Sequence, residues 1–220
     1  VSLVTVLRFL LDRRSFLHMG IAAGLSSFVG YSVINFVPSF MVRSFGMGLA
    51  ELGFWLGIIV GIAGGAGFFF GGLLADRLGR LGQRRGFNFL AAAMAASALC
   101  YTAVFLAPTA AWCLAMLVAP TVISNFYLAP VLAQAQGLVS LRMRSVSSAL
   151  MLLVINTIGL AMGPPVTGLL SDALGGILGA ESMRYSLLIV AVVILPWSAL
   201  HYLLAGRSIE KDLARASEQD

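Results

Sequence analysis

The chain has 220 residues, of which 60% are hydrophobic and only 10% are charged, with a net charge of +5. Soluble globular domains carry roughly a quarter of charged residues, so this composition excludes an ordinary soluble domain and is typical of a membrane protein. Asp, Glu, Lys and Arg are absent from five long stretches, namely 15–42, 52–75, 86–141, 145–171 and 185–206. Because about 20 apolar residues cross a bilayer, each stretch is long enough for a transmembrane helix.

The stretch 86–141 is long enough for two helices, and Pro108 in LAPTAAW favours a turn between them. The sequence therefore predicts an all-α membrane protein with six spans, at 16–36, 54–75, 87–107, 111–133, 146–170 and 185–205. Residues 1–14 are predicted to be an amphipathic cytoplasmic linker from upstream sequence, since their charges follow the apolar segment, opposite to a signal peptide. Residues 15–205 form the predicted bundle, and residues 206–220 a cytoplasmic tail.

Basic residues set the orientation, because Lys and Arg near helix ends are retained on the cytoplasmic side. Alternate loops place twelve of the fourteen on one side: Arg8, Arg13, Arg14, Arg77, Arg80, Arg84, Arg85, Arg142, Arg144, Arg207, Lys211 and Arg215. Only Arg43 and Arg184 fall on the other side. Both ends are thus predicted to be cytoplasmic, and the positive charge is a topology signal that gives no support to nucleic-acid binding.

Small and polar residues follow helical spacing in four of the spans. The second span carries a ladder of glycines that predicts close packing or sliding against a neighbour: Gly57, Gly61, Gly64, Gly65, Gly67, Gly71 and Gly72. Ser27, Tyr31 and Asn35 share one face of the first span, and Ser124, Tyr127 and Gln134 form a similar stripe on the fourth, with Asn125 on another face. In the fifth span the stripe comprises Ser148, Asn156, Gly159, Gly163 and Thr167.

Polar residues within spans face other protein or a cavity, because exposing them to lipid is costly. These stripes therefore predict either a water-filled passage or hydrogen bonds between helices. The candidates for lining a substrate cavity are Tyr31, Asn35, Asn125, Tyr127, Gln134 and Asn156. No cofactor or metal site is predicted, and no acid or arginine falls at the centre of a span, so the chain offers no proton relay of its own.

The stretch GGLLADRLGR at 71–80 ends the second span abruptly with charges. The carboxylate of Asp76 can accept hydrogen bonds from a nearby helix N-terminus and pair with Arg77 or Arg80. The spacing Gly72-x-x-x-Asp76-Arg77-x-Gly79-Arg80 resembles the cytoplasmic-loop signature of the major facilitator superfamily, which stabilises a gate. Arg144 in SLRMRSVSSAL resembles the family's basic loop before the fifth helix. The segments RRSFLHMG, PSFMVRSFGM, GLAMGPPVTGLLSD and SMRYSLLIV look like the C-terminal half of spinster-like transporters.

This resemblance implies two inverted three-helix repeats, which together form half of a major facilitator fold. It implies that the first and fourth spans line a central cavity with an N-terminal six-helix half of the same transporter, and that the halves rock to give alternating access. The expected function is secondary active transport of a small organic or lipid-like amphipathic solute across a bacterial inner membrane. Proton coupling is expected through the N-terminal half.

Three alternative functions have less support in the sequence. A complete six-helix transporter acting as a dimer is disfavoured by the missing initiator Met and the lack of intramembrane charge. An enzyme is disfavoured because no paired carboxylates, His-rich cluster or Ser/His arrangement shares a depth in the membrane. A scaffold or receptor that does not transport is an alternative that substrate-dependent flux would discriminate.

Overall fold

The computed structural model describes residues 3–217, with the side chains of residues 6–74 and 76–216. Every regular element in this range is helical. The α-helices are α1 (Leu3–Leu11), α2 (Arg14–Phe45), α3 (Leu49–Ile58), α4 (Gly64–Gly79), α5 (Gln83–Phe105), α6 (Ala110–Ser124), α7 (Leu128–Gly137), α8 (Arg144–Ile158), α9 (Gly163–Leu178) and α10 (Ser182–Ser217).

Three long helical stretches change geometry part-way along. A π-helical turn, Ile59–Ala63, joins α3 to α4, and non-helical turns separate α6 from α7 and α8 from α9. The last of these precedes Pro164 and Pro165 in the first turn of α9, where a missing amide hydrogen is tolerated. Each of these three interruptions borders the cavity or the helix seam described below.

By length and composition, five described stretches are able to cross a membrane: Arg14–Phe45, Leu49–Gly79, Gln83–Phe105, Ala110–Gly137 and Leu141–Ala216. The first four correspond to the first four predicted spans. The fifth is 76 residues long and contains α8, α9 and α10. The prediction of an all-helical membrane protein is therefore confirmed at the level of several apolar helices.

The centre of the bundle is formed by α10, which packs closely on both α2 and α5. Large side chains fill this core completely, among them Met19 and Phe40 of α2, Met94 of α5, and Tyr202 of α10. At Gly206 the absence of a side chain lets α10 approach α5, because a Cβ there would lie 3.0 Å from Phe87 Cβ. The core thus holds the first, third and last predicted spans together.

Contacts between helix ends show which loops lie together. Ser15 near the start of α2 contacts Asp212 of α10, and a Cβ at Gly137, the last residue of α7, would lie 3.4 Å from Leu213 Cδ2. The start of α5 also contacts α10, through Gly206. We call this the basic end of the bundle, because the arginines around the start of α2 and the turn before α5 lie there. At the opposite end Arg184 lies over the rings of Phe40 and Phe45.

The segments predicted to flank the bundle are helical where the structure describes them. Within residues 1–14, α1 packs against α2 and α8. Residues 206–217, predicted to be a tail, continue α10 without a break. The carboxylate of Asp212 in this continuation is buried and accepts hydrogen bonds from the backbone N and Oγ of Ser15, at 2.9 and 2.7 Å. This contact caps the N-terminus of α2, where the helix dipole favours an anion.

Candidate substrate cavity

A cavity of about 570 Å³ lies between α2, the α3–α4 stretch, the α6–α7 stretch and α8, with one residue from α5. A cavity of a few hundred Å³ is of the size that holds a small organic ligand. Its lining consists of Ser26, Ser27, Gly30, Tyr31, Val33, Ile34, Val37, Leu56, Val60, Gly64, Phe68, Tyr101, Leu117, Thr121, Ser124, Asn125, Tyr127, Leu128, Leu152, Ile155 and Asn156.

The lining is largely apolar, with hydroxyl and amide groups interspersed, and includes no Asp, Glu, His, Lys or Arg. Tyr31 Oη of α2 donates a hydrogen bond to Asn156 Oδ1 of α8 at 3.2 Å, which joins the two helices at the cavity wall. No group of three or more His, Cys, Asp or Glu suited to a metal ion is found in the described part of the chain. The cavity can therefore recognise a ligand by apolar contact and neutral hydrogen bonds.

The turn between α6 and α7 places two of the polar groups. Asn125 Nδ2 donates to the carbonyl of Thr121 at 2.7 Å, and the Tyr127 side chain is buried against the cavity. Gly67 and Gly71 of α4 allow this turn to approach closely, since a Cβ at Gly67 would lie 2.9 Å from Asn125 Cβ and one at Gly71 would overlap the backbone of Phe126. These two glycines of the predicted ladder therefore allow α4 to pack closely on the turn that carries the side-chain amide of Asn125.

Four of the six sequence-predicted cavity residues line this cavity: Tyr31, Asn125, Tyr127 and Asn156. Asn125 was expected on a face different from that of Tyr127, and the structure corrects this expectation. The helix ends at Ser124, so the spacing of 100° per residue does not continue through the turn. A helical projection across residues 124–128 consequently misplaces Asn125.

Asn35 lies outside the lining and is exposed, with its Nδ2 donating to the carbonyl of Tyr31 at 2.8 Å. The reason is the pitch of the α-helix. Four residues turn through about 400°, so each step of four moves 40° around the axis. Asn35 is displaced by about 80° from Ser27, while Ile34 and Val37 continue the cavity face.

Gln134 also lies outside the main cavity. Its Nε2 donates to Gln83 Oε1 at 2.6 Å, beside Pro130 and the first turns of α5. Seven residues separate it from Tyr127, which corresponds to about 10 Å along a helix. The amide therefore joins α7 to α5 near the basic end of the bundle.

Sequence reasoning missed several lining residues, including Phe68, Tyr101 and Thr121. Phe68 lies in the second predicted span, where the glycine ladder is the pattern that stands out. Tyr101 lies in the third predicted span, which has no polar stripe. Thr121 is three residues before Ser124, so it could have been predicted as part of the polar stripe on the fourth span. No sequence pattern predicted Phe68 and Tyr101, because aromatic residues occur on both the lipid-facing and the cavity-facing sides of a span.

The stripe on the fifth predicted span forms a seam against α2 and does not line a passage over most of its length. A Cβ at Gly159 would overlap Ser27, and one at Gly163 would lie 2.6 Å from the carbonyl oxygen of Phe28. Thr167 Oγ1 donates to Ser32 Oγ at 2.8 Å, with both residues buried. The sequence left open either a water-filled passage or contacts between helices for this stripe. Packing between helices describes the seam, and of the residues in the stripe only Asn156 lines the cavity.

The residues of the 72–80 signature occupy the end of α4 and its turn to α5. Gly72 faces Ala129 of α7, and Gly79 lies against the Gln83 side chain. Asp76, Arg77 and Arg80 are exposed, as is Arg144 at the first position of α8. Within the described residues, Asp76 forms no side-chain hydrogen bond or ion pair, so the expected pairing with Arg77 or Arg80 is not formed in this structure.

Comparison with known proteins decides the family. Residues 1–164 match the family model of the Major Facilitator Superfamily. The chain belongs to the Major Facilitator Superfamily. It is 32% identical over 204 residues to an MFS-type efflux pump of Mycolicibacterium smegmatis, covering 93% of this chain and 47% of that protein. The chain thus spans about half the length of the curated relative it matches.

The fold is similar to that of a bacterial homologue of the human lysosomal transporter Spinster. The inward-facing, occupied form of that protein superposes with a TM-score of 0.81 at 24% identity, over 91% of this chain and 50% of that chain. The inward-facing, unoccupied form gives a TM-score of 0.83 at 24% identity, over 95% and 51% of the two chains. This superfamily member therefore has a spinster-like fold and belongs to a family of membrane transporters.

Proposed function

We propose that the chain is the C-terminal six-helix half of a secondary active transporter, built as two inverted three-helix repeats. In this proposal α8–α9 and α10 make the fifth and sixth crossings. The half-length match to the curated relative and to the structural neighbour supports it. An N-terminal half packs on the open side of the cavity, and the two halves rock around it to give alternating access.

The observation that carries the transport proposal is the cavity itself. Its neutral, mostly apolar lining with Tyr31, Asn125 and Asn156 favours a small amphipathic or lipid-like organic solute, which apolar contacts bind and amides orient. Because none of Asp, Glu, His, Lys or Arg lines the cavity, we place coupling to protons in the N-terminal half. The efflux name of the mycobacterial relative supports export as the direction of transport.

A substrate screen on the intact parent protein in proteoliposomes, with and without an imposed pH gradient, tests this function. Asn156→Ala removes the acceptor of the Tyr31 hydrogen bond and a polar group of the lining. We expect its KM for a transported solute to rise about 2- to 10-fold, the equivalent of one ordinary hydrogen bond. Asn35→Ala, outside the cavity, is the matched control and leaves KM unchanged. Absence of flux for every amphipathic solute would favour a scaffold or receptor.

The same proteoliposomes test the signature at the end of α4. We propose that Asp76, Arg77 and Arg80, with Gly72 and Gly79, form a gating motif together with Arg144, in a conformation other than the one described. Asp76→Asn removes the charge and keeps the shape, so we expect transport to fall several-fold while membrane insertion stays normal. Asp172→Asn, an exposed carboxylate of α9, is the control. Normal transport by Asp76→Asn would contradict the gating role.

We further propose that the protein lies in a bacterial inner membrane with the basic end of the bundle in the cytoplasm. The contacts of α10 with the starts of α2 and α5 support this orientation, because they collect the arginines of three predicted cytoplasmic segments at one end.

A further inference from the structure

The helix α1 presents two different sides. Val6 and Leu10 are fully buried where α1 packs against α2 and α8. Leu7 and Leu11 remain 38% and 50% exposed, and Arg8 between them is exposed as well. A helix that is held by one apolar stripe and displays a second one beside a basic residue has the character of a helix lying in a membrane interface.

Unpaired basic side chains surround this helix. Arg14 is exposed at the start of α2, and Arg13 is 96% buried, with its guanidinium 4.6 Å above the ring of Phe9 and its Nε without a hydrogen-bond partner. In the described part of the chain the ion pair formed is Arg184 with Glu181, at the opposite end. Neither Arg8, Arg13 nor Arg14 therefore has its charge neutralised by a carboxylate.

The acidic groups nearby do not supply that neutralisation. Asp12, the one acid of this joint, is exposed and forms no ion pair. Asp212 is occupied by its two hydrogen bonds from Ser15. On the neighbouring element, Arg142 and Arg144 add positive charge beside Leu141, which is 72% exposed. The surface around α1 thus combines exposed leucines with an excess of unpaired arginines, at the level where α2 begins its apolar stretch.

We propose that α1 and the α1–α2 joint form a binding site for an anionic phospholipid. The phosphate of the lipid binds Arg8, Arg13 and Arg14, and its acyl chains lie on Leu7 and Leu11. Charge complementarity selects an anionic headgroup over a zwitterionic one, and the leucines select a lipid over a free phosphate. Bound lipid would anchor α1 and, through it, the start of α2. This inference requires only that the protein resides in a bilayer, so it is independent of the proposed transport function.

The experiment measures lipid binding to the purified intact protein in detergent, by native mass spectrometry and by thermal stabilisation. The probes are phosphatidylglycerol, phosphatidylcholine with identical acyl chains, and inorganic phosphate. We expect phosphatidylglycerol to bind at least threefold more tightly than phosphatidylcholine. The double variant Arg8→Gln/Arg14→Gln should lose this preference, whereas Arg43→Gln, an exposed arginine at the opposite end, should retain it.

Two further variants keep the test interpretable. Arg8→Lys/Arg14→Lys restores the charge and should restore the preference, which separates charge recognition from misfolding. Leu7→Gln/Leu11→Gln should weaken binding of both lipids. Equal binding of the two lipids by the native protein, an unchanged preference in the Gln double variant, or displacement of phosphatidylglycerol by millimolar inorganic phosphate would each overturn the proposal.

Discussion

Glycine serves two different purposes in two parts of this protein. In the seam between α2 and the α8–α9 stretch, Gly24, Gly159 and Gly163 lie where a Cβ would collide with a neighbouring helix. On α3–α4, Gly57, Gly61 and Gly65 are exposed and have no atom within 4 Å of a Cβ position. The first set already makes the close approach that small residues permit in membranes. The second set forms an open face.

This difference teaches that the spacing of small residues identifies a face able to pack closely, without identifying its partner. The glycine ladder of the second predicted span contains both kinds, since Gly67 and Gly71 contact the α6–α7 turn while Gly57, Gly61 and Gly65 do not. In the proposed full-length transporter the open face is where the N-terminal half packs. Substitutions in the seam should therefore affect folding, and substitutions on the open face should affect transport.

The largest effect on stability is expected for Gly163→Ala. Its Cβ would lie 2.6 Å from the carbonyl oxygen of Phe28 and 3.2 Å from Phe28 Cα, so α2 and α9 must move apart. Overpacking of this kind costs about 1–3 kcal/mol. A thermal unfolding measurement of the purified protein should show a clearly lower melting temperature. Gly175→Ala in the same helix meets no atom within 4 Å and is the control; equal melting temperatures for the two variants would contradict the tight seam.

A smaller effect is expected for Thr167→Val, which removes a hydroxyl and keeps the side-chain shape. The lost hydrogen bond to Ser32 joins two buried groups. Interhelical hydrogen bonds in membrane proteins contribute about 0.6 kcal/mol on average, because the alternative partners within the unfolded helix compensate for part of the loss. Denaturant titration of the native and variant proteins would measure the difference, and Thr102→Val, whose hydroxyl bonds only within its own helix, serves as the reference.

The smallest effect on stability is expected for Gly61→Ala, since the added methyl group points into open space in this half. We expect a change in unfolding free energy of less than about 1 kcal/mol, the scale of helix propensity. Gly61→Leu in the full-length protein should instead reduce transport, because a large side chain would obstruct the proposed contact with the other half. Unimpaired transport by Gly61→Leu would show that this face meets lipid.

The polar candidates show how far sequence reasoning extends to the cavity. Tyr31 and Asn156 were found because a costly polar group in a span requires a partner or a cavity, and they have both. Asn35 lies outside this cavity because each step of four residues moves 40° around the helix axis. Asn125 was assigned to the wrong helix face because no sequence pattern indicated that α6 ends at Ser124. A spacing of four residues therefore loses its value after about two turns of an unbroken helix, and also across a break in the helix.

By itself the sequence determined that this chain is an apolar helical protein with its basic residues confined to particular loops, because the bilayer acts on composition, length and charge directly. The signature at 72–80 also indicates the superfamily without reference to the fold. Only the tertiary structure decided which small residues touch a neighbour, which amides reach the cavity, and that the end of α10 caps α2 through Asp212. Those outcomes depend on where separate helices meet, and distance along the chain carries little information about contacts such as that between Ser15 and Asp212.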